Sequence, residues 1–414
     1  MNYSNFSVLA ILTILLFSSS CKKDDSSALK VEARFTTPII EYGVVTFKNY
    51  SLNATDYLWE FEDGNTSTEK DPIHEYETIG IFDVKLTASN GAESDVFFLK
   101  VAIGQIFPDN LTELDPLPFG RRDQMTYFTI DDKGYVLGGY DFTTFNYALD
   151  LWEFDSNNKS WNHVTNNLPS YFINSISFTA NEQGYFGLGN GANAGSEAYK
   201  IYKFNPSTSE VEFEIDFIGD PSTEGIISDA VTFVFENNVF LIGRGFNDFE
   251  KRMWKYDLDN QIWTNIGNYL CEGNSGMYHF VIDGKLYIGG GNKQYYSFVD
   301  CESDFWEYDI DNNSWTQKND FPGGARRDGI SFTYNGNGYF GFGADFEGTT
   351  GKQSNFSDLW KYDIASDSWE KIADLPVPNN QNLFRFVFGN TLYFGGGNSG
   401  QGGATARFYE YTLD

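Results

Sequence analysis

The chain has 414 residues, of which 58 are acidic and 28 basic, so its formal net charge at pH 7 is −30. This charge disfavours binding to nucleic acid or to an anionic bilayer surface, because both attract positive side chains. Aromatic residues make up 18% of the chain and glycine contributes 41 residues, which is typical of a protein built from strands and turns. No Asp-x-Asp-x-Asp-Gly loop is present, so no cofactor is predicted, although calcium in the acidic loops is left open.

The first residues predict a processing segment instead of a folded element. Residues 8–17 form a ten-residue, largely apolar run, which is shorter than the ~20 residues that a membrane-spanning helix needs. The sequence Ser-Ser-Ser-Cys follows and ends at Cys21. Together these features resemble a bacterial lipoprotein signal peptide. The resemblance implies that residues 1–20 are removed and that Cys21 carries the lipid, which would be the only membrane contact.

Residues 21–29 are expected to act as a flexible polar tether. Directly after Cys21, residues 22–25 read Lys-Lys-Asp-Asp. This tetrapeptide resembles the signal that sends some Gram-negative lipoproteins to the outer face of the outer membrane. The alternative is ordinary solvated charge in a linker. An outer-membrane lipoprotein exposed at the cell surface is therefore the expected localisation.

Residues 30–104 are predicted to form a separate module, in which aromatic and aliphatic residues alternate as in strands on both sides of an Asp-Gly turn. Three short sequences fall in order: Trp-x-Phe-x-Asp-Gly at 59–64, Pro-x-His-x-Tyr at 72–76 and Gly-x-Phe-x-Val at 80–84. They resemble the polycystic-kidney-disease (PKD) domain family, which implies an immunoglobulin-like β-sandwich. In that fold His74 is expected to be a packed core or turn residue and not a ligand or base.

A repeat with tryptophan pairs follows the sandwich. Four pairs have the same internal gap of nine residues: Trp152/Trp161, Trp254/Trp263, Trp306/Trp315 and Trp360/Trp369. Each pair begins with Trp-x-Phe/Tyr-Asp, which alternates as a strand does and leads into an Asp/Asn-rich turn. Tyr202 and Tyr409 occupy the same position in two further units. The six anchors lie 49 to 54 residues apart, close to the ~50-residue period of kelch-type propeller repeats.

A second fixed element precedes each anchor, namely a short strand that starts with an aromatic residue and ends in glycine. The six strands start at Tyr135, Tyr185, Phe240, Tyr287, Tyr339 and Tyr393. These repeats resemble the kelch family of β-propellers, whose fold is shared by galactose oxidase and a bacterial sialic-acid mutarotase. The resemblance implies an all-β, six-bladed propeller of four-stranded sheets over residues 105–414.

The two ends of the array predict how the ring closes. Residues 111–118 have no first three strands before them, and the sixth unit stops before its fourth strand. The octapeptide 111–118 also matches 369–376 of the fifth unit at three positions, so it is predicted to be the missing outer strand of the sixth blade. Closure of this kind removes an open sheet edge.

Two cysteines remain once Cys21 is assigned to the lipid. Cys271 is predicted to lie just before the innermost strand of the fourth blade, and Cys301 in the connection between its second and third strands. Both segments are expected on the same face of the propeller, so we predict a disulfide between them in an oxidising compartment. Two separate buried thiols are the alternative.

The same face carries the longest and most varied connections. Their aromatic residues suit the flat faces of sugar rings or a protein partner, with packing between blades as the alternative. These residues are Phe142, Phe145, Tyr147, Phe246, Phe249, Tyr295, Tyr296, Phe298, Phe346 and Phe356. Arginines before the innermost strands, Arg121, Arg122, Arg326 and Arg327, are candidates for an anionic ligand, although kelch repeats often place a structural arginine there. Among them, Arg122, Arg326, Arg327, Tyr295, Tyr296 and Phe346 are the predicted ligand-binding residues.

No catalytic constellation can be assembled from the sequence. The resemblance to galactose oxidase would require a copper site with two histidines, but the propeller has only His163, in an outer strand, and His279, in an inner one. The hypothesis that follows is a monomeric, lipid-anchored surface protein whose propeller face binds a glycan or a surface protein. A sialic-acid mutarotase or acidic-sugar lyase, and a structural spacer in an envelope assembly, are the alternatives.

Overall fold

The computed structural model describes residues 30–35, 39–41, 44–76, 78, 80–103, 108–189, 199–217, 229–243, 251–295, 298–347, 352–375, 377, 381–398 and 403–413. Cys21, Tyr296, Phe246 and Phe249 lie outside these residues. Within the described ranges no helix has the length and apolar character needed to cross a bilayer. The chain separates into two compact units, Met1–Ile106 and Phe107–Asp414.

The first unit contains two antiparallel sheets. Its strands are β1 (Ile39–Glu41), β2 (Val44–Thr46), β3 (Asp56–Glu60), β4 (Thr66–Ser67), β5 (Ile73–Glu75), β6 (Gly80–Ser89) and β7 (Ser94–Ile103). One sheet has the order β1-β2-β5 and the other β4-β3-β6-β7. Trp59, Phe47 and Phe61 are fully or almost fully buried in the core of this unit.

His74 packs within this sandwich. Its ring stacks on Phe61 with a centroid distance of 4.0 Å, and its Nε2 lies 2.7 Å from Asp63 Oδ2 in the predicted turn. The structure therefore agrees with the prediction that His74 is a packed core or turn residue and not a ligand: it lies on β5 and contacts the turn through Asp63.

In its described part, the second unit contains six four-stranded antiparallel sheets and three smaller sheets of two or three strands. The first strand is β8 (Leu111–Glu113), and blade 1 contains β9 (Arg122–Asp123), β10 (Thr126–Ile130), β11 (Lys133–Leu137), β12 (Tyr140–Asp141), β13 (Asn146–Tyr147), β14 (Leu151–Asp155) and β15 (Ser160–Thr165). Blade 2 contains β16 (Ile176–Ala180), β17 (Gln183–Gly187), β18 (Lys200–Asn205) and β19 (Glu210–Asp216). Blade 3 contains β20 (Val231–Phe235), β21 (Asn238–Gly243), β22 (Arg252–Asp257) and β23 (Ile262–Asn268).

The remaining blades repeat this order. Blade 4 contains β24 (Tyr278–Ile282), β25 (Lys285–Gly289), β26 (Asn292–Tyr295), β27 (Phe298–Cys301), β28 (Phe305–Asp309) and β29 (Ser314–Gln317). Blade 5 contains β30 (Ile330–Tyr334), β31 (Asn337–Gly341), β32 (Ala344–Glu347), β33 (Lys352–Asn355), β34 (Asp358–Asp363) and β35 (Ser368–Asp374). Blade 6 contains β36 (Phe384–Phe388), β37 (Thr391–Gly395) and β38 (Phe408–Thr412), and β8 completes it.

The spaced aromatic residues of the repeat pack across the two outer strands of a blade. In blade 5, Tyr362 lies directly opposite Trp369, and their ring centroids are 4.9 Å apart. The corresponding pairs of blades 1, 3 and 4 have centroid distances of 5.1, 4.9 and 4.8 Å. Such cross-strand aromatic pairs stabilise a sheet beyond the area they bury. The facing residues are seven positions apart, because the first of them stands two positions after the first tryptophan of the repeat.

Neighbouring blades approach closely where the second strand carries glycine. A Cβ atom on Gly184 of blade 2 would overlap the Phe128 ring of blade 1, and a Cβ atom on Gly134 of blade 1 would overlap the Phe386 ring of blade 6. Glycine at these positions therefore lets an aromatic ring of one blade lie against the backbone of the next.

The ring closes as the sequence predicts. Strand β8 pairs with β38 through Leu111 opposite Tyr411 and Thr112 opposite Glu410. The pairing continues beyond β8, because the Leu117 amide donates to the Ala406 carbonyl at 2.7 Å. The innermost strands contact one another in the order β10, β16, β20, β24, β30, β36 and again β10. The prediction that residues 111–118 complete the sixth blade is confirmed.

We expect a Thr112→Cys, Glu410→Cys variant to form a disulfide under oxidising conditions, because these residues are direct partners on adjacent strands. Peptide mapping after proteolysis would identify the linked peptides. A matched control places the second cysteine at Asp374, on the last strand of blade 5. A variant whose two new thiols both stay titratable in the native protein would contradict the closure.

The predicted disulfide between Cys271 and Cys301 is wrong, because both thiols are free in the structure. The two residues lie on opposite sides of blade 4. Cys271 is buried in the core shared with blade 3 and lies 3.6 Å from Met277 Sδ. Cys301 faces blade 5, where its Sγ lies 3.7 Å from the Ala344 carbonyl oxygen. The prediction placed both segments on one face but could not resolve which neighbouring blade each side chain contacts.

Candidate functional site

A ring of six residues surrounds one end of the propeller axis. Each of these residues stands two positions before the innermost strand of its blade and adopts a positive φ, between 49° and 64°. We call this set the mouth ring: Gln124, Asn174, Asp229, Gly276, Asp328 and Asn382. Its position at the start of the innermost strands places it on the face that carries the β12–β13, β26–β27 and β32–β33 hairpins.

The mouth ring is held together by its own backbone. The amide of each residue from Asn174 to Asn382 donates to the carbonyl of the preceding member, at distances of 3.0 to 3.3 Å. The left-handed conformation turns these peptide groups sideways, so that they link one blade to the next. Asparagine, aspartate and glycine tolerate this conformation better than other residues, which explains the composition of the ring.

Two carboxyl groups of the mouth ring lie on either side of the glycine of blade 4. Asp328 Oδ1 occupies the space that a Cβ atom of Gly276 would need. Asp229 Oδ2 accepts a hydrogen bond from Asn174 Nδ2 at 3.2 Å and lies 3.5 Å from Ser275 Oγ. Because Gly276 has no side chain, the two carboxyl groups can influence each other across it.

Burial and mutual repulsion change the protonation of this pair. Burial raises the pKa of Asp229, the nearby charge of Asp328 raises it further, and the result is about 8. Burial also raises the pKa of Asp328, but the Arg327 guanidinium, 3.4 Å away, opposes that change. At neutral pH, Asp229 therefore keeps a proton, whereas the Arg327 guanidinium favours the ionised form of Asp328.

A small cavity of about 130 Å³ lies at the mouth ring and is lined by Tyr127, Asp229, Asp328 and Asn382, among others. Below it the axial channel continues as a cavity of about 200 Å³, which Tyr127, His279 and Arg385 line. His279 is neutral there, because burial and the charge of Arg385 lower its pKa to about 3. Tyr127 belongs to both cavities and so connects the mouth to the channel.

Two of the arginines that were predicted to bind a ligand instead form ion pairs inside their own blades. Arg122 is buried and binds Asp150 through two hydrogen bonds of 2.5 and 2.7 Å. Arg326 is fully buried, pairs with Asp358, and stacks on Phe356 with its Cζ 3.7 Å from the ring centroid. Their prediction as ligand-binding residues is wrong, because each neutralises an aspartate inside its own blade.

Arg327 is the arginine that reaches the mouth. Its side chain keeps 32% of its accessible surface and contacts Asp328. Arg121 points outward and donates to the Phe142 carbonyl on the rim. The adjacent arginines of blade 5 thus have different surroundings, which a sequence pattern does not distinguish.

The predicted aromatic residues lie on the rim and not at the mouth ring. Phe346 is half-buried on β32, and Tyr295 ends β26. Phe145 is 72% exposed at the tip of the β12–β13 hairpin, whereas Phe356 packs on Arg326. None of the described cavities is lined by both Phe346 and Arg327. The Tyr295 side chain lies outside the described part of the structure.

The histidines lie in separate places, as predicted. His163 lies on the outer strand β15, where its Nε2 is 2.8 Å from Asn166 Oδ1, and His279 lies in the axial channel. Within the described ranges, no group of three or more His, Cys, Asp or Glu side chains is arranged to hold a metal ion.

Asp229 and Asp328 are the site residues that the sequence-based analysis missed. The repeat itself carried a signal, because Asn, Asp, Gln or Gly stands two residues before every innermost strand. The tryptophans and glycines that build the blades are the more conspicuous part of the repeat. Alignment of the six units on their innermost strands would have exposed the mouth ring.

Comparisons with known proteins agree with this architecture. Residues 36–97 match the family model described as PKD domain. The chain is 22% identical over 284 residues to N-acetylneuraminate epimerase 1 of Escherichia coli O6:H1 (strain CFT073), a match that covers 64% of this chain and 70% of that protein. The solved structure of YjhT superposes with a TM-score of 0.59 at 17% identity and covers 71% of this chain and 95% of that one. At this identity, the structural likeness shows the fold alone.

Proposed function

Because this chain joins a PKD domain to a kelch-type β-propeller, we propose that it binds a carbohydrate at the mouth ring of the propeller. The observation that carries the proposal is the pair of buried carboxyl groups, Asp229 and Asp328, beside Arg327 at the entrance of the axial channel. The name of the epimerase that resembles this chain supports a sugar as the ligand class. The lipoprotein-like residues 1–29 support an anchor at Cys21 and display at the cell surface.

The mouth ring has the mixture of groups that sugar hydroxyls need. Asp328 accepts hydrogen bonds, protonated Asp229 can donate one, and the Asn382 amide can do both. The Arg327 guanidinium adds a charge-assisted donor for a hydroxyl or a carboxylate. A few convergent polar groups of this kind, at the entrance of a cavity, are typical of small-molecule sites.

We expect an Asp328→Asn substitution to abolish or strongly weaken sugar binding, because it removes the ionised acceptor while keeping the shape of the side chain. The test is a glycan-array screen followed by calorimetry on residues 30–414. The matched control is Asp345→Asn, which changes a half-buried aspartate on the rim strand β32.

Two results would count against this proposal. A glycan that binds the wild type and Asp328→Asn equally would place the ligand elsewhere. A negative glycan screen together with a specific partner in a pull-down would favour the surface-protein ligand. If both screens are negative, the structural spacer becomes the better interpretation.

Exchange between the anomers of a reducing sugar is a second candidate function, favoured by the unequal protonation of the two carboxyl groups. Ring opening needs a base that removes the proton of the anomeric hydroxyl and an acid that protonates the ring oxygen. Ionised Asp328 suits the first role and protonated Asp229 the second. The same residues would then reverse the transfer after rotation of the open chain, and no proton would be lost overall.

NMR exchange measurements with N-acetylneuraminate and uronic acids test this second candidate. We expect the wild type to accelerate anomer exchange and Asp229→Asn to lose the acceleration, because asparagine cannot supply the proton. If a sugar binds but its anomers exchange at the same rate as in buffer, the catalytic function is rejected and the binding function remains.

A further inference from the structure

Arg385 places a positive charge inside the axial channel, and among the residues that the structure describes no anionic partner contacts it. It lies on β36 and is half-buried, its Nε donates to the Ser331 carbonyl, and its Nη1 donates to Tyr127 Oη at 2.9 Å. No carboxylate of the described residues lies within ion-pair distance of it. The contrast with Arg122 and Arg326 is direct, because each of those buried guanidinium groups has its own aspartate.

Three hydroxyl groups of the channel cannot donate a hydrogen bond to a ligand, because each already donates to a backbone carbonyl oxygen. Ser177 Oγ donates to the Tyr127 carbonyl, Thr179 Oγ1 to the Thr129 carbonyl and Thr232 Oγ1 to the Ser177 carbonyl, at 2.6 to 2.8 Å. These bonds link the innermost strands of successive blades. Thr126 Oγ1, which lines the cavity below the mouth ring, has no hydrogen-bond partner among the described residues, and Arg385 keeps unused N–H groups there as well.

Tyr127 supplies a second donor at the same point. Its hydroxyl oxygen accepts from Arg385, so its own proton is directed elsewhere, and among the described residues no acceptor for it is found. A guanidinium has five N–H groups, of which two are used here. Arg385 and Tyr127 therefore present adjacent, unused donors to one space.

That space is large enough for a small ligand. Arg385 and Tyr127 together line the cavity of about 200 Å³ below the mouth ring and a neighbouring cavity of about 280 Å³. A water molecule occupies ≈ 30 Å³ of liquid volume, so a carboxylate and several waters fit. The position is interior and distinct from the Asp229 and Asp328 pair.

We propose that the axial channel binds a carboxylate between the guanidinium of Arg385 and the hydroxyl of Tyr127. Charge-assisted hydrogen bonds from a guanidinium match the two oxygens of a carboxylate. The carboxylate is either a free small anion or the acidic group of a larger ligand that enters past Tyr127. This site does not depend on the proposal that the mouth ring binds a sugar.

Histidine resonances report on this site directly. The chain has three histidines, and only His279 lines the channel with Arg385, whereas His74 lies in the PKD domain and His163 on an outer strand. In a protein labelled with 15N at histidine, we expect sodium formate to shift the His279 signals saturably, at constant ionic strength set with sodium chloride. The His74 and His163 signals serve as internal references.

Substitutions of arginine separate binding from folding. Arg385→Gln should lose the saturable shift, Arg385→Lys should keep a weaker one, and Arg121→Gln, which changes an exposed arginine of the rim, should behave as wild type. Unchanged His74 and His163 signals show that a variant is folded. An unsaturable response of the wild type, or an equal shift in Arg385→Gln, would overturn the proposal.

Glucuronate and its methyl ester distinguish the two sources of the carboxylate. If glucuronate displaces formate and the methyl ester does not, the site binds the acidic group of a sugar. If neither compound displaces formate, the site binds free small anions. Formate binding that persists in Asp328→Asn shows that the channel site is separate from the mouth. The Asp328→Asn variant therefore tests the sugar site at the mouth ring and the carboxylate site in the channel separately.

Discussion

Replacement of Arg326 by alanine is expected to destabilise the protein by about 3–5 kcal/mol, because it leaves Asp358 buried and unpaired. Arg326 is fully buried and also donates to the Phe342 carbonyl at 3.2 Å. Its stacking on Phe356 and Phe321 would be lost as well. Urea denaturation followed by tryptophan fluorescence would measure the change.

The matched control is Arg121→Ala, because the Arg121 side chain is exposed and, among the described residues, donates to the Phe142 carbonyl on the rim. We expect it to change stability by less than about 0.5 kcal/mol. A stable Arg326→Ala variant that loses its ligand would contradict the structural role and restore the ligand-binding role predicted from the sequence.

Asp229 is expected to make the stability of the protein fall as the pH rises from about 4 to about 8. Its pKa is raised from 3.8 to about 8 in the folded state, so the folded protein binds the extra proton over that interval. The stability that this extra proton contributes is fully present below pH 4 and is lost as the pH rises through 8. The expected size is of the order of a few kcal/mol, which is large for one side chain.

The Asp229→Asn substitution should remove the fall in stability between about pH 4 and about pH 8. The variant should also be more stable than the wild type at pH 9, because asparagine carries no charge to bury. Chemical denaturation at several pH values measures the difference between the two proteins. The control Asp345→Asn should keep the wild-type slope. Parallel profiles for the wild type and Asp229→Asn would show that Asp229 is ionised at neutral pH.

The repeat made the fold predictable from the sequence. The Trp-x-Phe/Tyr-Asp motif places Tyr362 two positions after Trp360 and so opposite Trp369, and the gap of nine residues recurs because the hairpin between the two outer strands keeps one length. The match between 111–118 and 369–376 identified the closing strand for the same reason: equivalent positions in a ring of blades have the same neighbours. The three short PKD sequences identified the sandwich, and residues 36–97 confirm it.

The site was less predictable, because side-chain direction and partner choice depend on contacts between blades. Arg326 and Arg327 are adjacent, yet one faces Asp358 within blade 5 and the other faces the mouth. Cys271 and Cys301 lie in one blade but contact different neighbouring blades. The prediction that Arg327 lies near the channel mouth agrees with the structure, whereas its binding role stays a prediction.

The most direct test of the account is hydrogen-exchange mass spectrometry of residues 30–414 with and without a bound sugar. We predict that the sugar slows exchange in peptides that contain Asn174, Asp229, Gly276 and Asp328, because their amides form the backbone of the mouth ring. Protection confined to the β12–β13 hairpin or to residues 36–97, with the mouth ring unchanged, would contradict the assignment of the mouth as the binding site.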